Sequence, residues 1–240
     1  MSENTEFVIL VTGRYHWLVK PLLYFYEKYM PVPLTFFSDR PIEGCNAIEV
    51  FPHGIEIYRE PCGRLVKDAL QKLDKPLLMF GYMDMLPKTE VYLQFLAILE
   101  RYMLDHANVA RCNLWADAQW QIRDFPVIAE YPGLSIHKLP GNDPGLGSIG
   151  STHLAHALWS KDFLVEFIED QWTFDMIESK GPEKFCRQQR WYSIGTFPGL
   201  VNICHLCFTA DQNEVRLSTI PDVRDREYVS RFIPEGRWIG

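Results

Sequence analysis

The sequence predicts an α/β fold, a mostly parallel sheet flanked by helices, with a regular first half and an irregular α+β second half. Three observations predict it. Residues 6–12 (EFVILVT) and 76–80 (PLLMF) are short continuous apolar runs, the pattern of strands buried on both faces. Between such runs the apolar period changes from continuous to helical. From about residue 116 this alternation loosens, and residues 132–150 are rich in Pro, Gly, Asn and Asp, which predicts a loop.

Taken in order, the strand over 6–12 leads into a helix over 15–29, where Trp17, Leu18, Leu22, Phe25, Tyr26 and Tyr29 share one stripe and Pro31 and Pro33 end it. Residues 32–38 (VPLTFFS) form the next strand and complete a β-α-β unit. A third strand is predicted over 47–51, a short helix over 65–73 and a buried strand over 76–80. The helix over 89–106 carries Leu93, Leu96, Leu99 and Met103 on one side. Residues 109–115 are a fifth strand, residues 152–159 another, followed by a helix with Ser160 as N-cap and Asp162 in its first turn. A last strand is placed over 200–208. The expected organisation is a single domain over 1–240, with a nucleotide-binding half over about 1–115 and an acceptor half over about 116–240.

Composition narrows the partners. At 240 residues the chain can bury one substantial core, roughly 70–75% of its unfolded surface. The net charge of −7 opposes bulk attraction to nucleic acid or anionic membranes. The opening residues MSENTEF have no basic segment followed by an apolar one, and the apolar run 77–83 is far short of the ~20 residues a spanning helix needs, so a cytoplasmic protein without a membrane span is expected. In that compartment the six cysteines are expected as reduced thiols. Cys204 and Cys207 form a CxxC, but no second pair completes a tetrahedral zinc site.

Ligands of an open parallel sheet bind beyond the carboxyl ends of its strands. The polar residues just after the apolar runs are therefore the candidates: Thr12, Gly13 and Arg14 after the first strand, Ser38, Asp39 and Arg40 after the second, Tyr82 to Asp84 after the fourth, and Asp117 after the fifth. The first turn, TGRYHW, is neither a GxGxxG fingerprint nor a Walker loop. The chain also lacks GxSxG and HExxH, which removes lipase-type and zincin chemistry. His153 and His156 fall on opposite faces of a strand over 152–159, so only one of them can line a site; His153, after a Gly/Ser-rich stretch, is the candidate.

The segments TGRYHW (12–17), EKYM (27–30), LLM (77–79), VARCNL (109–114), ALWSKDFL (157–164) and WTFD (172–175), in this order, resemble a group of small GT-A-type glycosyltransferases of bacterial and phage glycan genes. The resemblance runs over residues 6 to 180. It implies a GT-A-like, Rossmann-type fold and transfer of a sugar from a nucleoside diphosphate sugar to a hydroxyl acceptor, a glycan or a modified phage DNA base. On this reading the strand-end and cationic residues Thr12, Arg14, Asp39, Arg64, Lys67 and Asp84 are expected on the donor side, and Asp117, His153 and Trp172 on the acceptor side. It places Asp175, in the WTFD segment, beside the acceptor as the base that takes the hydroxyl proton.

One departure bears on the metal. Such enzymes follow the fourth strand with an acidic pair that holds Mn²⁺ or Mg²⁺ on the donor diphosphate. Here the stretch is FGYMD (80–84), with Asp84 as its single carboxylate. Asp84 is thus the one metal ligand expected, and the alternative is metal-independent action in which Arg14, Arg64 or Lys67 meets the diphosphate. Two rival readings remain: a nucleotidyltransferase, or a catalytically inactive sugar- or nucleotide-binding protein of the same fold.

Overall fold

The computed structural model describes residues 3–57, 59–116, 119–140, 157–187, 190–206, 214–235 and 238–239. Strand β1 (Thr5–Val11) is followed by a 3₁₀ helix (Gly13–Leu18) and helix α1 (Val19–Tyr29). The predicted single helix over 15–29 is thus divided. Pro21 has no N–H to donate and is tolerated only in a first helical turn, which places the α-helical start at Val19.

Strands β2 (Leu34–Ser38) and β3 (Asn46–Glu49) come next, then α2 (Gly63–Leu70) and β4 (Leu77–Tyr82). A tight turn at residues 83–84 links β4 to the short β5 (Met85–Pro87). Helix α3 (Leu93–Asp105) starts later than its apolar stripe predicts. The amides of Lys88 and Val91 are held by the carbonyls of Asn202 and Tyr29, so the backbone before residue 93 is committed elsewhere.

Beyond α3 lie β6 (Val109–Asn113), α4 (Gln119–Ile122), β7 (Val127–Tyr131), β8 (Leu134–Lys138) and β9 (Ala157–Ser160). The loop expected over 132–150 is corrected at its start, since residues 134–138 are a strand paired with both β7 and a later strand. His137 pins this hairpin: its Nε2 meets Ser135 Oγ at 2.8 Å and its Nδ1 the Phe125 carbonyl at 2.8 Å. Helices α5 (Lys161–Phe167), α6 (Phe174–Ser179) and α7 (Gly181–Arg187) follow. As expected, Ser160 caps α5, accepting the Phe163 amide, with Asp162 in the first turn.

The chain continues with β10 (Tyr192–Phe197), which the sequence reading missed, and β11 (Ile203–His205), shorter at its start than the strand expected over 200–208, whose last two residues lie outside the described ones. It ends with β12 (Glu214–Val215), α8 (Val223–Ser230) and β13 (Trp238–Ile239).

Nine strands form one sheet in the order β3-β2-β1-β4-β9-β6-β10-β8-β7. β1 pairs parallel with β2 and β4, β2 with β3, and β10 with β6. β9 runs antiparallel between β4 and β6, and β8 runs antiparallel between β10 and β7. Only β9 and β8 run opposite to the other seven strands, so the sheet is mostly parallel in direction and flanked by helices, and strands from the later half of the chain complete it. β4 and β6 are buried along their full length, while the edge strand β3 is polar and partly exposed.

The C-terminal helix α8 is locked to α1 by a buried carboxylate. Asp225 accepts from Tyr24 Oη (2.7 Å), Lys28 Nζ (2.7 Å) and Tyr29 Oη (2.9 Å), and Tyr24 stacks on Tyr228 at 4.2 Å. Burial works to raise the Asp225 pKa, but the hydrogen bonds from Lys28 and the two tyrosines outweigh it and hold the carboxyl below its usual range. Such a carboxylate stabilises the fold above the unfolded value of about 4, and its contribution is lost as pH falls through the lower folded value. Asp225→Ala is expected to cost roughly 2–3 kcal/mol at neutral pH, because Lys28 and two hydroxyls lose their acceptor. Urea unfolding of the two proteins should show that gap closing as pH drops below about 4.

Candidate functional site

The order of the parallel strands reverses at β1. From β1 the chain steps outward to β2 and β3, then returns to lay β4 on the other side of β1. At such a switch point the connections leave in opposite directions, and a crevice opens beyond the carboxyl ends of the two central strands. Thr12 follows β1, Asp39 follows β2, and Asp84 follows β4. The structure places these three sequence-predicted residues at one end of the sheet.

Asp39 organises the β1–β2 side. Its side chain is 0% exposed, and all its capacity is turned inward. Oδ2 accepts the amides of Gly13 and Gly54, each at 3.1 Å, and Oδ1 lies 2.7 Å from His16 Nε2. Burial acts to raise its pKa, but the hydrogen bonds from His16, Gly54 and Gly13 prevail and keep it below the usual carboxylate range. Gly13 sits at φ +51°, a left-handed conformation that aims its amide at Asp39 and that a side chain would strain. One carboxylate therefore fixes the turn after β1, the end of β2 and the turn at residue 54. The polar group that this assembly presents outward is His16, whose side chain is 14% exposed. Sequence reading stopped at Asp39 and missed His16, although the ring lies within the TGRYHW turn.

Asp84 organises the β4 side. It occupies the turn between β4 and β5, and its carbonyl accepts the Leu206 amide at 2.8 Å, as β11 pairs antiparallel with β5. Residue 84 keeps partial solvent contact, yet the surrounding atoms desolvate its carboxyl. Burial pushes its pKa up to about 6, offset in part by its own amide. No ion pair reaches it among the described residues, and no group of three or more His, Cys, Asp or Glu suited to a metal occurs there.

Arg64 is exposed on α2 and faces Asp68 at 3.9 Å; Lys67 is engaged by Asp170. Both cations thus face carboxylates, one on α2 and one in the segment after α5. Trp172 is corrected to a core residue: its ring packs edge-on against Phe167 at 5.6 Å and under Lys184 Nζ at 5.3 Å, and its carbonyl takes the Cys62 and Gly63 amides. Burial leaves that ring no open face for an acceptor. Asp175 is exposed in the first turn of α6, which Thr173 caps through the Met176 amide. The segment 51–57 links it to the Asp39 assembly, since Gly54 donates to Asp39 while the Ile57 carbonyl holds the Phe174 amide. The Arg14 side chain, Asp117, His153 and His156 lie outside the described residues, as does Cys207. Cys204 lies within β11 with its thiol 3.6 Å from the Leu86 carbonyl.

The chain matches no protein-family model and no curated protein. Solved structures that resemble it include A197 from STIV, at 14% identity and a TM-score of 0.42 over 85% of this chain and 86% of that one. A second is CMP:2-keto-3-deoxy-manno-octonic acid synthetase complexed with CTP, at 12% and 0.40 over 83% and 94%. A third is S. aureus TarS 1–349, at 8% and 0.41 over 79% and 57%.

A desolvated carboxyl leaves a signature in stability. With a folded pKa near 6 against about 3.9 unfolded, the folded state holds the proton more tightly, so stability falls as pH rises from about 4 to 6 and stays lower above. Asp84→Asn is expected to raise stability at pH 7 by roughly 2 kcal/mol and to change little at pH 4. Chemical unfolding at the two pH values checks this.

Proposed function

We propose that this chain is a glycosyltransferase that binds a nucleoside diphosphate sugar across the carboxyl ends of β1, β2 and β4 and transfers the sugar to a hydroxyl acceptor. The observation that carries the reading is the switch point itself, flanked on one side by the Asp39–His16 assembly and on the other by Asp84. Support comes also from the ordered segments that resemble small GT-A-type enzymes, of which TGRYHW and FGYMD bracket this crevice.

In the proposed reaction the acceptor oxygen bonds to the anomeric carbon as its proton passes to the Asp175 carboxylate. The bond from that carbon to the diphosphate breaks, and its electron pair leaves with the nucleoside diphosphate. The leaving group then carries the developing charge. A divalent cation fits Asp84 only if phosphate oxygens and water complete its shell, as Mg²⁺ readily accepts. When bound, it would neutralise that charge beside Asp84.

The isolated carboxylate at Asp84 also favours a second reading, a binding protein of the same architecture that has lost transfer. Thermal-shift assays with UDP, GDP, CMP and dTDP sugars, with and without Mn²⁺, separate these readings. A rise in melting temperature is expected with at least one donor, and none with any donor removes the proposal. Binding without hydrolysis or transfer across a broad acceptor panel establishes the second reading. For the active enzyme, Asp84→Asn should weaken donor binding or its response to metal. Asp175→Asn should leave donor affinity intact and lower the single-turnover rate by roughly 10²–10⁴. Full rate in Asp175→Asn removes that residue from the mechanism.

A further inference from the structure

The Asp39 carboxylate is fully buried and turned inward: two backbone amides hold Oδ2 and the His16 ring holds Oδ1, three of its about four acceptor sites. An ionised carboxylate only accepts hydrogen bonds, which requires that His16 Nε2 carry the hydrogen across the 2.7 Å contact. In the neutral ring the lone pair is then left on Nδ1. Nδ1 lies on the side of the imidazole away from Asp39, and among the described residues no hydrogen bond engages it. The buried carboxylate behind and the partly exposed ring in front stand at the end of β1, where the switch-point crevice opens.

We propose that His16 Nδ1 reads the nucleoside of the bound donor as a hydrogen-bond acceptor, with Asp39 as the positioning residue that sets its tautomer; this rests on the nucleotide-binding reading above. The ligand chemistry is a hydrogen-bond donor on the nucleoside. It comes either from a ring N–H of the base, the imide of uracil and thymine or the lactam of guanine, which cytosine lacks, or from a ribose hydroxyl. The two sources respond differently to Asp39→Asn. The oxygen of the amide must stay with the Gly13 and Gly54 N–H groups, which turns the NH₂ toward His16. Nε2 then becomes the acceptor, Nδ1 takes the hydrogen, and the ring presents a donor to the crevice. A ring N–H of the base is repelled by that change, whereas a hydroxyl rotates to suit it.

The test measures Kd for UDP, GDP, dTDP and CDP, and for the 2′- and 3′-deoxy forms of the tightest, at mildly alkaline pH with wild type, His16→Ala and Asp39→Asn. NMR of the wild-type ring nitrogens, which does not depend on how well a variant folds, accompanies it. The hydrogen is expected on Nε2, and His16→Ala is expected to weaken the tightest nucleotide by about 5–20-fold. If the base is read, nucleotides bearing that ring N–H exceed CDP in wild type and Asp39→Asn erases or inverts that preference. If the ribose is read, the deoxy form lacking the contact loses the same factor and is indifferent to His16→Ala. Nucleotide binding that His16→Ala leaves within twofold throughout, or a wild-type hydrogen on Nδ1, overturns the His16 assignment alone. No binding of any nucleotide to wild type overturns the nucleotide reading itself.

Discussion

Burial of the central strands on both faces is the constraint from which the rest of the structure follows. β4 and β6 are enclosed along their length, and β1 nearly so, which leaves their middles mostly apolar, with Arg111 in β6 as a buried exception. Helices must cover both sides, and crossover connections must carry the chain from the end of each strand back to the start of the next. Polar residues are thereby pushed to the strand ends. Thr12, Asp39 and Asp84 stand together because each follows a strand whose carboxyl end lies on the same side of the sheet. The reversal of strand order at β1 then separates the connections and opens the crevice.

The two acidic residues at that end hold their charge in opposite ways. Asp39 is buried and accepts three hydrogen bonds, so its carboxylate is kept ionised and serves as a framework. Asp84 is desolvated without a cationic partner among the described residues, so its ionised form is costly until a cation or a hydrogen-bond donor arrives. One is a fixture of the fold. The other is held at some cost to stability, which the proposed function assigns to ligand binding.

Much of this was legible in the sequence. The runs at 6–12 and 76–80 announce β1 and β4 because strands buried on both faces need no alternation, and the change of period after each announces the helix. β10 was hidden because Gly195 interrupts its pattern. That glycine is required by packing: a Cβ there would lie 2.9 Å from Ile122 Cδ1 on α4, a contact no local pattern reveals. The place of β9 is likewise a long-range fact, as its pairing with Leu77–Met79 and Arg111–Asn113 joins distant segments. For the site, strand-end logic found Asp39 and Asp84. It missed His16, whose partner lies 23 residues away, and it misread Trp172, since a tryptophan that fills a core and one that lines a cleft look alike in sequence.

The claim that the switch point is the nucleotide-sugar site is tested most directly by hydrogen–deuterium exchange with a bound donor. The account predicts that protection gathers in 12–18, 38–40, 52–55 and 82–85, segments separated in sequence that meet only at the carboxyl ends of β1, β2 and β4. Protection confined to other segments, with these four unchanged while the donor is demonstrably bound, would contradict it.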